Sequence, residues 1–165
     1  VLVAAVRRLG LTMPILGGDA MSSPELLASA GSAAEGAIIA SAFHPDEPRA
    51  EVQAFVAAFQ RRYGATPDVG SALGYDAMRL LGTAMRDAKS TSPADLAAAL
   101  HRVAGWRGVT GGVTFAPNGD RATVSVLTTV VRKGSFHYFP VASAPVAQRA
   151  IHPPGSAVAT AKRGL

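Results

Sequence analysis

Hydrophobic and polar positions along the chain fall into blocks whose periods predict the elements in order. Residues 1–9, VLVAAVRRL, read as the end of an amphipathic helix stopped by Gly10. Residues 13–17 read as a short strand. Ser22, Ser23, Pro24 and Glu25 then read as a helix start, with Ser23 at the N-cap and Pro24 at the first helical position. That helix ends near Gly31, and GAIIASAF at 36–43 has the apolar density of a buried strand. HPDEPR makes a turn. Residues 48–63 place Val52, Phe55, Val56 and Phe59 on one helical stripe, with Gly64 as the stop. ATPD is a linker into a helix over 69–88, where Leu73, Ala77, Leu80, Leu81 and Ala84 recur at helical spacing. Ser92-Pro93-Ala94-Asp95 opens one more helix.

After Gly105 the chain turns to valine, threonine and aromatics, in GVTGGVTF and ATVSVLTTVVRKGSFHYF, with PNGD at 117–120 as a hairpin turn between them. Gly108, Gly111 and Gly112 read as a tight turn rather than a phosphate loop. Residues 141–165, rich in Ala, Pro and Ser with a basic end, read as a disordered tail. The order is therefore helix, strand, helix, strand, three helices and a β-rich end. Alternating strands and helices imply a parallel α/β layer. Three helices in succession imply that the chain leaves that layer for a second helical surface and then returns.

Composition narrows the functions. The 165 residues are enough for one core or two small ones, and 48% hydrophobic against 16% charged favours a packed interior. The absence of cysteine excludes thiol catalysis and disulfides. Net charge is +5, but the basic residues stand singly or in pairs such as Arg7-Arg8 and Arg61-Arg62, so a nucleic-acid partner is not expected. No apolar run reaches the ~20 residues of a membrane span, and no leader pattern is visible at Val1. His44, His101, His137 and His152 are far apart and read as surface or loop histidines. No nucleophile elbow, Walker loop or dinucleotide fingerprint is present. The expectation is a protein that does no chemistry and needs no cofactor or metal.

Six stretches in order carry a resemblance: LGLTMPILGGD, AGSAAEGAIIASAF, FVAAFQRRYGATPD, GYDAMRLLGTAM, GVTGGVTFAPNGD and VRKGSFHYF. Together they resemble the C-terminal half of the type I periplasmic binding proteins, in particular the branched-chain amino-acid (leucine/isoleucine/valine) substrate-binding proteins of ABC transporters. The resemblance implies a partial α/β fold, a parallel sheet with flanking helices and hinge-crossing C-terminal strands. Residues 1–43 would belong to the second lobe, 44–108 to the helical part of the first, and 109–140 to the crossing strands. A complete member is more than twice this length.

The implied function is to bind a small amino acid or similar compound between two lobes and to deliver it to a membrane permease, in the periplasm or at the cell surface. A cytoplasmic amide or amino-acid sensor on the same fold, and a truncated remnant that binds nothing, stay open. Asp19 lies one residue past a strand end, where ligands bind in open α/β sheets, and the family commonly places there an acid that pairs with the ligand's ammonium. The bland reading is a turn-initiating Asp before Ser-Ser-Pro. Gly18 and Ala20 flank it, and Met21 would line the cleft behind it. Gly70 and Ser71, with Ala72 and Leu73, open the helix from which family pockets receive a side chain; Ser71 reads equally as a cap. Tyr75 and Asp76 match the family's YDA and read as structural, the one packed and the other hydrogen-bonded. Trp106 reads as lobe packing. A chain of this extent would leave sheet edges unpaired and the Phe55/Phe59 stripe in water.

Overall fold

The computed structural model describes residues 2–122 and 125–140; the tail expected over 141–165 lies outside them. In chain order the elements are α1 (Leu2–Arg8), β1 (Leu16–Gly17), α2 (Pro24–Ala30), β2 (Ile38–Ser41), α3 (Ala50–Tyr63), α4 (Val69–Ala88), α5 (Pro93–His101), β3 (Trp106–Gly108), β4 (Gly111–Val113), β5 (Leu127–Arg132) and β6 (Ser135–Tyr138). Short 3₁₀ turns at Asp19–Met21 and Gly31–Ala34 follow β1 and α2.

Four strands form a mixed sheet in the order β1-β2-β5-β6. β1 runs parallel to β2, with Leu16 opposite Ile38, whereas β2–β5 and β5–β6 are antiparallel. The parallel step is the one expected from the strand–helix–strand order at 13–43. The first strand is shorter than its apolar run, because only Leu16 and Gly17 meet a neighbour. Along the 36–43 stretch Ala37, Ile39, Ser41 and Phe43 are buried and the residues between are less so. That is the period of two of a strand with one dominant core face. One core joins Val3, Ala30, Ala34, Ala37, Ile39 and Val131, with Leu26, Leu27 and Met21 against it. Full burial of side chains such as Ile39 or Val131 contributes about 1.5–3 kcal/mol each.

A second core lies on the other side of the β2–α3 connection. Val52, Phe55 and Val56 of α3 meet Phe43, Ala72 and Val109, with Phe59 and Val69 partly buried beside them. The Phe55/Phe59 stripe is therefore not left in water. Phe55 is covered edge-on by Phe43 at 5.8 Å and by Tyr75 at 4.6 Å. On α4 the buried stripe is Ala72, Asp76, Leu80 and Ala84, strictly four residues apart. Leu73 and Ala77, expected inside, stand exposed beside it. In the first half of α4 the stripe lies one position earlier than expected, because Ala72 joins the second core and Asp76 holds the hairpin, whereas Leu80 and Ala84 are buried.

That hairpin is β3–β4, with Gly108 paired to Gly111 and Val109-Thr110 at the tip, so the three glycines do form a tight turn. The PNGD turn is present too, closed by Ala116 N–H to Asp120 C=O at 2.8 Å, and among the described residues its flanks are joined by the bridge Phe115–Arg121 and by Ala122 N–H to Thr114 C=O at 2.8 Å. The last aromatic stretch is itself a hairpin. Lys133 and Gly134, both at positive φ, turn β5 into β6, and Glu35 accepts from both their N–H groups at 3.0 and 2.7 Å.

Candidate functional site

The segment after β1 is built around Met21. Its side chain lies so close under Gly17 that a methyl there would overlap the Met21 sulfur. Met21 thus packs against the first core rather than lining a cleft. Gly18 is extended (φ −85°, ψ −179°), and a methyl there would meet nothing within 4 Å. The two glycines therefore serve a side-chain approach and an open surface, not a left-handed turn. Asp19 is exposed at the first position of the 3₁₀ turn. Its Oδ1 accepts from Ala20 N–H at 2.9 Å and its carbonyl from Ser22 N–H at 2.8 Å. Among the described residues no cation lies within ion-pairing distance of it. Ala20 is exposed beside it. The carboxylate thus starts a turn and also faces outward with acceptor capacity to spare.

At the start of α4 Asp68 is the N-cap. Its Oδ1 accepts from both the Ser71 N–H and the Ser71 hydroxyl at 2.7 Å. These two bonds, hydroxyl first, hold the Asp68 carboxyl below the ordinary carboxylate range. Ser71 is therefore a cap partner whose hydroxyl proton is already used; it can still accept. Gly70 is exposed, and a side chain there would meet only Asp68.

The two segments flank one cavity of about 200 Å³. Ser22, Pro24 and Leu27 form one wall, Pro67, Asp68 and Val69 the other, and Phe43, His44, Pro45 and Phe136 close it. None of Gly18, Asp19, Ala20, Gly70 and Ser71 lines it; the nearest lining residues along the chain are Ser22, two past Ala20, and Val69, next to Gly70. Apolar rings and prolines make most of this lining, with Asp68, His44 and Ser22 as the polar groups, the composition of a small-molecule pocket. Of the histidines read as surface or loop residues, His44 lies in the loop after β2 but is only 6% exposed, His101 and His137 are exposed, and His152 lies outside the described residues. Neither His44 nor Asp68 stood out in the sequence, although Asp three residues before Ser71 is a legible cap signature.

A larger cavity of about 390 Å³ lies between Glu47, Arg49, Glu51, Arg107 and the β3–β4 hairpin. Both of its acids, Glu47 and Glu51, are already paired with Arg49. Arg49 forks onto both oxygens of Glu47, meets Glu51 at 3.1 Å, and donates to the carbonyls of Gly108 and Val109 at 3.3 and 2.8 Å. Pairing with Glu47 is also the main reason the Arg49 guanidinium is pushed above its ordinary value. Tyr75 is half-exposed with its ring on Phe55, and Arg79 lies over the faces of both Tyr75 and Trp106, at 5.5 and 5.7 Å. Trp106 thus packs within the helical side, as expected. Among the described residues no group of three His, Asp or Glu is placed to hold a metal, and no helix is long and apolar enough to cross a membrane.

Comparison with known proteins agrees with this architecture. The periplasmic binding protein family model matches residues 1–135. Among solved structures, the leucine-binding protein LivK from Thermotoga maritima superposes with a TM-score of 0.76 at 31% identity, over 84% of this chain and 40% of that one. An ABC transporter substrate-binding protein from Desulfitobacterium hafniense, in complex with Leu, superposes with a TM-score of 0.71 at 34% identity, over 84% of this chain and 39% of that one. A solute-binding protein from R. palustris in complex with benzoate shares the fold alone, at 22% identity, over 83% of this chain and 38% of that one, with a TM-score of 0.66. No curated protein matches. The chain spans about 40% of the length of the solved structures it matches. With the family model covering most of its length, this chain belongs to the periplasmic binding protein family, as a partial type I member.

Proposed function

We propose that this chain supplies part of the solute receptor of an ABC transporter for a branched-chain amino acid or a related small amino-acid-like compound. The observation that carries the proposal is the apolar cavity between the 22–27 and 67–69 segments, whose walls come from the two separate cores. In this reading residues 1–43 are part of the second lobe, 44–108 the helical part of the first, and 109–140 the strands that cross between them. Asp19 pairs with the ligand's ammonium from the rim, with Gly18 and Ala20 beside it, and Gly70 and Ser71 border the opposite wall. Gly70 leaves room there for an aliphatic side chain.

The role is binding and delivery to a permease outside the cytoplasm, with closure of two lobes as the mechanical event. No turnover of amino acids, amides or esters is expected, because no nucleophile lies against a base in the cavity. The relative in complex with Leu, at 34% identity, makes leucine the first ligand to test. Ligand-observed NMR with leucine, isoleucine, valine and benzoate decides. Saturable binding of the aliphatic amino acids, displaced by one another, is expected. Binding of benzoate in preference to leucine, or of none of them, would overturn the assignment.

A further inference from the structure

Asp68 is the N-cap of α4 and lines the 200 Å³ cavity from the wall opposite Ser22. Capping uses one of its oxygens: Oδ1 accepts the Ser71 N–H and the Ser71 hydroxyl, both at 2.7 Å. Oδ2 makes no hydrogen bond to another described residue, and among those residues no cation lies within ion-pairing distance of it. A cap needs one acceptor and no charge; serine and asparagine serve about as well as aspartate. The cap thus accounts for Oδ1 and leaves a charged, exposed oxygen at the cavity wall.

We propose that Asp68 is a second carboxylate for the ligand's ammonium, meeting it from the helical wall of the cavity while Asp19 meets it from the opposite rim. The choice of leucine as ligand rests on the receptor reading above; that the cavity takes a cation on Asp68 stands without it.

The lining decides the sign of the charge it accepts. The bonds from Ser71 hold the Asp68 carboxyl below the ordinary carboxylate range, so it is ionised at neutral pH. Burial moves the His44 ring downward from its ordinary value, so it is uncharged there. Among the described residues no lysine or arginine lines the cavity. Asp68 is therefore the lining group that carries charge at neutral pH, and the charge is negative. An ammonium has three N–H donors. One goes to Oδ2 of Asp68 as a charge-assisted bond, and the others remain for Asp19 and the Ser22 hydroxyl. The apolar remainder of the ligand faces Leu27, Phe43 and Phe136. A carboxylate in the same place would meet no cation and would be repelled by Asp68. The cavity should therefore separate an amine from an acid of the same skeleton.

The test uses the 165-residue chain and three probes: leucine, isoamylamine, which is leucine without its carboxylate, and isocaproate, which is leucine without its ammonium. Ligand-observed NMR at neutral pH is expected to show saturable binding of leucine and isoamylamine, and weaker binding of isocaproate than of isoamylamine. In Asp68→Asn the side-chain oxygen still caps α4, but the amide nitrogen stands where Oδ2 was, donor against donor. Both affinities should fall about fivefold or more, while the melting temperature stays that of wild type. If the Asn variant melts lower, Asp68→Ser, another good cap, gives the same comparison. Isocaproate bound as well as isoamylamine, or amine affinity unchanged in the variants, overturns the proposal. Leucine bound equally by wild type and Asp68→Asn removes Asp68 from the site and leaves the receptor reading intact. Isoamylamine bound and weakened in the variant, with leucine not bound, upholds the cation site on Asp68 and strikes down the receptor reading. Binding of neither overturns both.

Discussion

Asp76 and Thr110, 34 positions apart, are joined twice: one carboxylate oxygen of Asp76 accepts both the Thr110 N–H and the Thr110 hydroxyl at 2.7 Å. The other oxygen accepts the Val109 N–H at 3.0 Å. Both partners are almost fully buried, at 5% and 1% exposure. The same hairpin tip gives its carbonyls to two arginines: Arg49 takes those of Gly108 and Val109, and Arg121 those of Thr110 and Gly112 at 3.0 and 2.8 Å. An acid satisfies the donors and two bases satisfy the acceptors. A two-residue turn can thus be buried against a helix without leaving orphan backbone groups.

Asp76→Ala is therefore expected to destabilise the chain by about 2–4 kcal/mol, because it leaves two buried N–H groups and a hydroxyl without their acceptor. Urea unfolding monitored by circular dichroism measures it. A change under about 0.5 kcal/mol, the range of ordinary surface substitutions, would mean that the hairpin tip is not held by this carboxylate.

Gly108→Ala should be nearly as harmful for a different reason. A methyl there overlaps the Asp76 carboxylate, which three hydrogen bonds hold in place. The expected loss is about 1–3 kcal/mol from overpacking. In the double variant Gly108→Ala with Asp76→Ala the clash disappears, so the two losses should add to clearly more than the pair shows. Strict additivity would place the strain elsewhere.

The fold was legible where local signals agree with tertiary needs. Gly10, Gly31 and Gly64, read as helix stops, all take positive φ, and the Val52/Phe55/Val56 stripe is buried as its spacing implies. What escaped was decided from a distance. The Lys133-Gly134 turn lacks the usual Asn-Gly signature and is held by Glu35, about a hundred residues upstream. In the first half of α4 the inward positions fall one residue before Leu73 and Ala77 because a hairpin tip claims Asp76. At the site, the glycine–acid turn after β1 could be read from its position alone, but the cavity wall it borders could not. Ser22, His44 and Asp68 come from three separate connections and Phe136 from β6, and they carry no common spacing.

Asp19→Asn separates the two roles of that residue. The one side-chain bond it makes among the described residues, to the Ala20 N–H, survives in Asn. Stability should therefore stay within about 0.5 kcal/mol of wild type. In a polypeptide carrying the whole fold, affinity for leucine should fall about tenfold or more through loss of the charge-assisted bond to the ammonium. Calorimetry showing unchanged affinity removes Asp19 from the site.

Asp68→Ala removes the cap of α4. A loss of about 0.5–1 kcal/mol is expected, at the lower end of capping values because the carboxylate is exposed and screened by solvent. The folded Asp68 carboxyl titrates below its ordinary value of 3.8. Its contribution is therefore full above the unfolded value and is lost as pH falls through the folded one. Wild type and variant should differ in thermal unfolding at neutral pH and converge in strong acid. A difference that persists there would rule out the ionised cap as its source.

The last expectation concerns association. β1 stands at the edge of the sheet with Leu16 74% exposed, and an edge strand offers unpaired backbone groups to another chain. On α4, Leu73, Ala77, Leu81 and Met85 follow one another at four-residue spacing beside the buried stripe, all exposed but the half-buried Leu81, and Met78 adds 68% exposure next to them. An apolar helix face of this kind favours contact with another surface. The Phe55 side of α3 is not part of it, since that stripe is closed by Phe43 and Tyr75. The 165-residue chain alone is thus expected to self-associate at micromolar concentration through α4 and β1. Met78→Lys with Met85→Lys should shift it toward monomer in size-exclusion chromatography, because charges on that face oppose burial while touching no core side chain. Lys at Phe59, on the α3 side, should not act as a solubiliser but lower the melting temperature, since that ring packs against Phe55 and Tyr63. A wild-type chain that elutes as a sharp monomer and melts cooperatively would show that α4 needs no cover, and the assignment of its outer face as a contact surface would fall.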